Sequence, residues 1–161
     1  MTVSRFHPLL NPLACLFVAV VLTSCAVKEY ILPSTAHIEM EITAAPELNP
    51  NTEGRPSPIV LRIYELKSLE EFNNGDFFTI YDNETKALGK TMLAKDELEF
   101  KPGETKHIER EANPQTRFLG IIAAYRDIDN AQWRAVATIP EKSRSKFNLH
   151  LGSLGLSLTS L

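Results

Sequence analysis

The sequence predicts a mainly β fold, a β-sandwich of about eight strands with one short helical insertion. Apolar and polar residues alternate over several short segments, which is the pattern of strands with one buried face. Proline, glycine and asparagine separate these segments at spacings near ten residues, as is typical of sandwiches. The length of 161 residues fits one domain with a core of its own.

The first two strands are predicted on either side of a proline-rich break. Residues 38–42 alternate between apolar and polar side chains, which indicates a half-buried strand. Residues 44–58 contain four prolines and a glycine, which exclude both helix and regular strand. The β-branched segment 59–66 predicts the second strand.

A short helix is predicted at residues 69–74. Ser68 and Glu71 have the spacing of a capping box, in which the Ser side chain accepts a backbone N–H and the Glu side chain reaches back. Gly75 is the expected residue just beyond the helix, where a left-handed conformation is common.

A second helical turn is predicted after Asp76, which has the position of another N-cap. Phe77, Ile80 and Tyr81 then fall on one face, so we expect this turn to pack apolar side chains onto the domain. An exposed docking patch that includes Phe78 is the alternative, and core packing is favoured.

The second half of the chain returns to strands. Residues 118–125 are almost wholly apolar, which predicts a central strand buried on both faces. Pro102 and Gly103 predict a type II turn, because the third position of that turn requires a positive φ. The other candidate strands are residues 92–94, 98–101, 105–109, 133–139, 146–151 and 154–158.

The N-terminal segment predicts export and lipidation. Arg5 precedes an apolar run at residues 13–22, which is too short to span a bilayer and indicates a cleaved signal peptide. The run ends in Leu22-Thr23-Ser24-Cys25, which resembles the lipobox of bacterial lipoproteins. An ordinary signal followed by a coincidental cysteine is the alternative.

The expected organisation follows from that motif. Cys25 becomes the acylated N-terminus, and the mature chain retains no other cysteine, because Cys15 lies in the signal. The expected segments are a lipoprotein signal peptide at residues 1–24, a lipidated tether at residues 25–35 and a β-sandwich domain at residues 36–161.

Composition argues against several other classes of function. Basic and acidic residues number 17 and 20 and are interspersed, so no nucleic-acid-binding face is predicted. His37, His107 and His150 lack the spacing of metal ligands, and no serine has a nucleophile-elbow context. Neighbouring carboxylates fit helix capping, solvent-facing strands and turns rather than acid–base catalysis. We therefore expect a protein that is not an enzyme, with no metal or cofactor.

From Arg55 onward the chain resembles the type VI secretion system lipoprotein family TssJ, also known as SciN or VasD. The resemblance rests on an ordered set of segments, namely residues 55–67, Phe72, residues 76–81, residues 98–104 and residues 119–125. It implies a transthyretin-like β-sandwich with an extra helical segment, which agrees with the strands and caps described above.

The resemblance also implies a function. Such a lipoprotein lies on the periplasmic face of the outer membrane and recruits the C-terminal periplasmic domain of the inner-membrane protein TssM. Ala26, rather than Asp, follows Cys25, which agrees with an outer-membrane location. The alternative is a periplasmic, transthyretin-like lipoprotein that binds a small ligand. Aromatic residues clustered in a concave pocket would favour it, whereas the sequence offers a single Trp, Trp133, on a predicted strand.

In that family the loop between the first two strands contacts TssM, and here it corresponds to residues 45–57. The expected partner-binding residues are Glu47, Leu48, Asn49, Asn51 and Glu53. Leu48 is the expected apolar anchor, with the polar residues as its hydrogen-bonding neighbours. The alternative is that Leu48 folds back onto its own sandwich.

Overall fold

The computed structural model describes residues 35–161, so the predicted signal peptide, Cys25 and most of the predicted tether lie outside the described residues. In the described part, eight strands form two four-stranded sheets, which confirms the predicted fold class. The strands are β1 (His37–Ala44), β2 (Ile59–Leu66), β3 (Met92–Phe100), β4 (Thr105–Glu111), β5 (Phe118–Ala123), β6 (Arg134–Thr138), β7 (Arg144–Leu151) and β8 (Leu156–Ser160). Between β2 and β3 lie three helices and a 3₁₀ turn, namely α1 (Glu70–Asn74), α2 (Phe77–Asp82), α3 (Glu84–Leu88) and Gly89–Thr91.

The two sheets have the orders β4-β1-β7-β8 and β3-β2-β5-β6. β1 and β7 run parallel, and the other neighbouring strands run antiparallel. β1 is therefore an interior strand, paired with β4 on one side and β7 on the other. Among residues 35–161, no helix has the length and apolar character that crossing a membrane requires.

Strand direction divides the domain into two ends. The chain enters β1 after Thr35, and we call this the tether end. The opposite end, which we call the loop end, carries four connections: residues 45–58, 101–104, 124–133 and 152–155. The two ends are about 26 Å apart along β1, because each strand residue advances the chain by about 3.3 Å.

The main core lies between the two sheets. Every second residue of β1 is buried there, as the alternation predicted, and Ile38, Met40 and Ile42 are at most 1% exposed. β5 is interior to the second sheet and is buried on both faces, so the prediction of a central strand is confirmed. Ile121 faces the core between the sheets, and Ile122 faces a second core.

The second core lies between the outer face of β2 and β5 and the helical insertion. Tyr64 and Ile122 from the strands pack there with Phe72, Ile80 and Leu88 from the helices. The outer face of the second sheet is therefore covered, whereas β1, β4 and β7 turn their polar side chains outward.

The start and end of α1 differ from the prediction. Ser68 Oγ accepts the N–H of Glu70 (3.1 Å), and the residue preceding the helix is Leu69, which makes no side-chain cap. Gly75 is extended (φ −74°) rather than left-handed. A Cβ there would lie 2.8 Å from the side chain of Ile80, so this position needs glycine because the helices pack closely.

The N-cap of α2 is confirmed. Asp76 accepts the backbone N–H of Thr79 at 2.8 Å and the Thr79 hydroxyl at 2.7 Å. These hydrogen bonds lower the pKa of Asp76, with the backbone N–H of Thr79 as the largest cause.

The remaining elements overlap the predicted segments, with three differences. The predicted short strands at 92–94 and 98–101 form one continuous strand, β3, which pairs with β2 along its length. α3 was not predicted, and β8 begins at Leu156 rather than at residue 154. The predicted type II turn is supported by Gly103, whose φ is +77°, and by a 3.1 Å hydrogen bond from Glu104 N–H to the Lys101 carbonyl.

Candidate partner-binding site

The loop end is organised around Asn49, which is 3% exposed and has a φ of +45°. Its side-chain amide donates to the carbonyl of Pro58 (2.8 Å), and its Oδ1 accepts the backbone N–H of Arg126 (2.8 Å). Its own backbone N–H donates to the carbonyl of Ser153 (3.1 Å). Asn49 therefore joins the β1–β2, β5–β6 and β7–β8 connections, and asparagine suits a left-handed position.

The tip of the β1–β2 loop is an ordered turn. Asn51 Oδ1 accepts the backbone N–H groups of Glu53 (3.0 Å) and Arg55 (2.9 Å). Gly54 supplies the positive φ of +77° that the turn requires. The side-chain carbonyl of Asn51, expected to bind a partner, is therefore used within the loop itself.

The structure corrects the role expected of Leu48. Its side chain is completely buried in the core between the sheets, so it is not available as an exposed anchor. The loop turns inward there, because Leu48 N–H donates to the Ala45 carbonyl (3.1 Å) and the Leu48 carbonyl accepts Ser57 N–H (2.9 Å). Leu48 folds back onto its own sandwich, which is the alternative that the sequence left open.

The five residues predicted for binding thus separate into two groups. Glu47 and Glu53 are exposed, whereas Leu48 and Asn49 are buried and Asn51 is half-buried. Their role in partner binding stays a prediction, and of the five only Glu47 and Glu53 are exposed.

A groove crosses the loop end beside this loop and has a volume of about 430 Å³. We call it the loop groove, and its lining residues are Pro50, Asn51, Thr52, Arg126, Asp127 and Leu154. Three connections contribute to it, and the sequence predicted only one of them, the β1–β2 loop, as part of a binding site. The available signal was a large apolar residue, Leu154, between Gly152 and Gly155, which is a turn context rather than a strand context.

The aromatic turn of α2 is mostly packed. Phe77 is 8% exposed, stacks on Tyr81 at a ring-centroid distance of 5.1 Å, and meets Trp133 edge-on at 5.4 Å. Core packing therefore holds for Phe77 and Ile80, whereas Phe78 is 58% exposed. Trp133 is used in this packing.

A polar cluster fixes the helical insertion to β2. Arg62 donates to Glu97 (2.7 Å) and to the carbonyl of Tyr81 (2.6 Å), and its guanidinium lies 3.9 Å from the centre of the Tyr81 ring. Lys95 donates to Glu84 at 2.6 Å and Tyr64 donates to it at 3.1 Å. Burial by itself raises the pKa of Glu84, but these bonds outweigh it, so its pKa is lowered.

A buried carboxylate at the tether end is held by neighbouring groups of the protein. Glu65 is 2% exposed and accepts the Asn113 N–H (2.8 Å) and the Thr116 hydroxyl (2.6 Å), while Arg110 lies 3.2 Å from its second oxygen. Because Glu65 belongs to β2 and Arg110 to β4, this pair connects the two sheets.

The three histidines of the described chain lie on the outer face of the first sheet. His37 Nε2 is 2.7 Å from a carboxylate oxygen of Glu109, and His107 and His150 are exposed. Within residues 35–161, no three His, Cys, Asp or Glu side chains form a group able to hold a metal ion.

Comparison with known proteins identifies the family of this chain. Residues 36–154 match the family described as type VI secretion lipoprotein, VasD, EvfM, TssJ. No curated protein matches the chain.

Solved structures agree with the family match. The crystal structure of the type VI secretion lipoprotein TssJ1 from Pseudomonas aeruginosa is 38% identical, with a TM-score of 0.77 over 79% of this chain and 97% of that one. Serratia marcescens Lip, a membrane-bound component of the type VI secretion system, is 25% identical, with a TM-score of 0.71 over 76% of this chain and 96% of that one. A chain of a type VI membrane complex shares the fold at 20% identity, with a TM-score of 0.67 over 76% and 97%. This chain belongs to the TssJ family of type VI secretion lipoproteins.

Proposed function

We propose that this protein is an outer-membrane lipoprotein, acylated at Cys25, that recruits the periplasmic C-terminal domain of a TssM-like inner-membrane protein. Membership of the TssJ family supports the role, and the Leu22-Thr23-Ser24-Cys25 motif supports the anchor. In this proposal residues 1–24 are the cleaved signal, residues 25–35 are the tether, and residues 36–161 are the binding domain. The protein has a structural role and is not an enzyme.

The direction of β1 is the observation that carries the proposal. A tether from Cys25 reaches the domain at Thr35, and β1 then runs away from that point to the loop end. With the lipid in the outer membrane, the loop end is the part of the domain opposite the attachment point, about 26 Å farther along β1. A domain that extends from the inner membrane then meets the loops.

The hydrogen bonds of the loop end suit recognition. Asn49 and Asn51 hold the β1–β2 loop in one conformation, so little conformational freedom remains to be lost on binding. The exposed residues, including Glu47 and Glu53, are presented on this fixed loop.

The test is calorimetric titration of the mature lipoprotein in detergent with the periplasmic domain of TssM from the same bacterium. Reversing the charge of both exposed acids, Glu47→Arg and Glu53→Arg, should weaken binding at least tenfold, or about 1.4 kcal/mol. Glu111→Arg is the matched control, because Glu111 is also exposed but ends β4 at the tether end. It should bind like the wild type.

Two outcomes oppose the proposal in different ways. Wild-type protein that does not bind the TssM domain would show that the assigned function is wrong. Normal binding by the doubly reversed variant would place the binding surface elsewhere, and the exposed Phe78 would be tested next.

A further inference from the structure

The loop groove combines an apolar lining with an available positive charge. Leu154 is 38% exposed, and Pro50 lines the same groove. Arg126 also lines the groove and is exposed.

The guanidinium of Arg126 has no partner within the described chain. Of the seven arginines at residues 35–161, five make a side-chain ion pair or donate to backbone carbonyls, and Arg126 and Arg144 do neither. The neighbouring carboxylate of Asp127 accepts the side-chain amide of Asn130 at 2.9 and 3.1 Å, so it is engaged in its own turn.

The backbone that carries these side chains is fixed. Asn49 Oδ1 accepts the Arg126 N–H (2.8 Å), and the Leu154 carbonyl accepts the Gln132 N–H (2.9 Å). Asn49 N–H donates to the Ser153 carbonyl (3.1 Å), which holds the two sides of the groove together. A ligand therefore meets a preformed groove with a cation at its border.

We propose that the loop groove receives a partner segment that carries a carboxylate next to an apolar side chain. The apolar side chain packs against Leu154 and Pro50, and the carboxylate pairs with Arg126. Arginine suits this role, because its planar guanidinium binds a carboxylate through two parallel hydrogen bonds. A protein segment is favoured over a free anion, because a free anion would leave the apolar lining unused.

This inference rests on the proposed function and specifies its chemistry, so the probe is the same TssM periplasmic domain. Arg126→Glu should weaken binding at least thirtyfold, because it places a negative charge against the partner's carboxylate. Arg126→Lys should bind within about tenfold of the wild type, because charge is retained and the paired geometry is lost. Leu154→Ser should weaken binding about tenfold through the apolar half of the contact.

The matched control is Arg144→Glu. Arg144 is exposed and also lacks an ion pair in the described chain, but it begins β7 at the tether end, so its reversal should leave affinity unchanged. A thermal melt of each variant shows whether the domain is folded. The Arg126 guanidinium makes no hydrogen bond or ion pair within residues 35–161, so its replacement removes neither from the folded domain.

A charge swap identifies the partner's group. If the carboxylate assignment is right, one Asp→Lys or Glu→Lys variant of the TssM domain restores affinity for Arg126→Glu. The inference is overturned if the wild type binds while Arg126→Glu and Leu154→Ser bind equally well, or if no acidic position of TssM gives rescue. Absence of wild-type binding would instead overturn the proposed function together with this inference.

Discussion

Replacement of Asn49 tests whether one buried side chain holds the loop end together. Asn49→Ala removes the acceptor for Arg126 N–H and the donor to the Pro58 carbonyl, both of which are partly buried. Each group left unsatisfied costs about 1 kcal/mol at the low end of the observed range. Alanine at a φ of +45° adds about 1 kcal/mol, so the expected loss of unfolding free energy is about 3 kcal/mol.

Two further substitutions separate these contributions. Asn49→Gly relieves the backbone strain and should lose about 2 kcal/mol, which isolates the side-chain hydrogen bonds. Asn49→Asp still accepts from Arg126 but cannot donate to Pro58, so it should also be less stable than the wild type. Asn148→Ala, on the exposed face of β7, is the control and should change stability by less than about 0.5 kcal/mol.

The assay is urea unfolding of the mature lipoprotein in detergent, followed by Trp133 fluorescence. With an m-value of about 1.5 kcal/mol/M, Asn49→Ala should lower the midpoint by about 2 M. The glycine variant should fall between alanine and the wild type. A glycine variant as stable as the wild type would show that the three connections at the loop end do not depend on the Asn49 side chain.

Four other outcomes are expected. Cys25→Ser should leave the protein uncleaved or unlipidated and no longer extracted with outer membranes, because acyl chains contribute about 0.8 kcal/mol per buried CH₂; membrane fractionation that recovers normal amounts would contradict this. Leu48→Asp should unfold the domain in a thermal melt rather than only weaken binding, since it buries an unpaired charge. Ile122→Ala should cost about 2–5 kcal/mol in urea by leaving a cavity under the helices. Glu84→Gln should lower Tm at pH 7, and the difference in Tm from the wild type should narrow below pH 4.5. Folding lowers the pKa of Glu84, so the carboxylate contributes its full stabilisation above the ordinary pKa of 4.5 and loses it as pH falls through the lowered pKa of the folded state.

The strands and the order of elements could be predicted because their signals are local. Alternation in β1 reflects burial of one face, and the continuous apolar run of β5 reflects burial of both faces, because successive side chains of a strand point to opposite faces of the sheet. Asp76 was also predictable, because an N-cap bonds to a residue only three positions away.

The errors have a common physical cause, which is that their outcome depends on packing between different elements of the fold. Gly75 needs to be glycine because Ile80 packs against it, and the sequence does not distinguish this from a left-handed turn. Leu48 is an apolar residue in a polar loop, and whether it faces out or in depends on how the loop closes over the core. Arg126 and Leu154 reach the β1–β2 loop only through tertiary structure, so no local pattern predicted the loop groove.

The interior position of β1 determines how the protein responds to mechanical force. In the proposed function a pull from the lipid anchor enters β1 at His37. The opposing load enters at the loop end, where Asn49 joins the β1–β2 loop to the β5–β6 and β7–β8 connections, so β1 and its neighbours are loaded in opposite directions. β1 is bonded to β4 on one side and, in parallel, to β7 on the other, and sliding it out requires many of these hydrogen bonds to break together in shear. A strand at the edge of the sheet, pulled sideways, would instead peel away one bond at a time. In the proposed function, β1 is thus held on both sides against a load applied between the two ends of the domain.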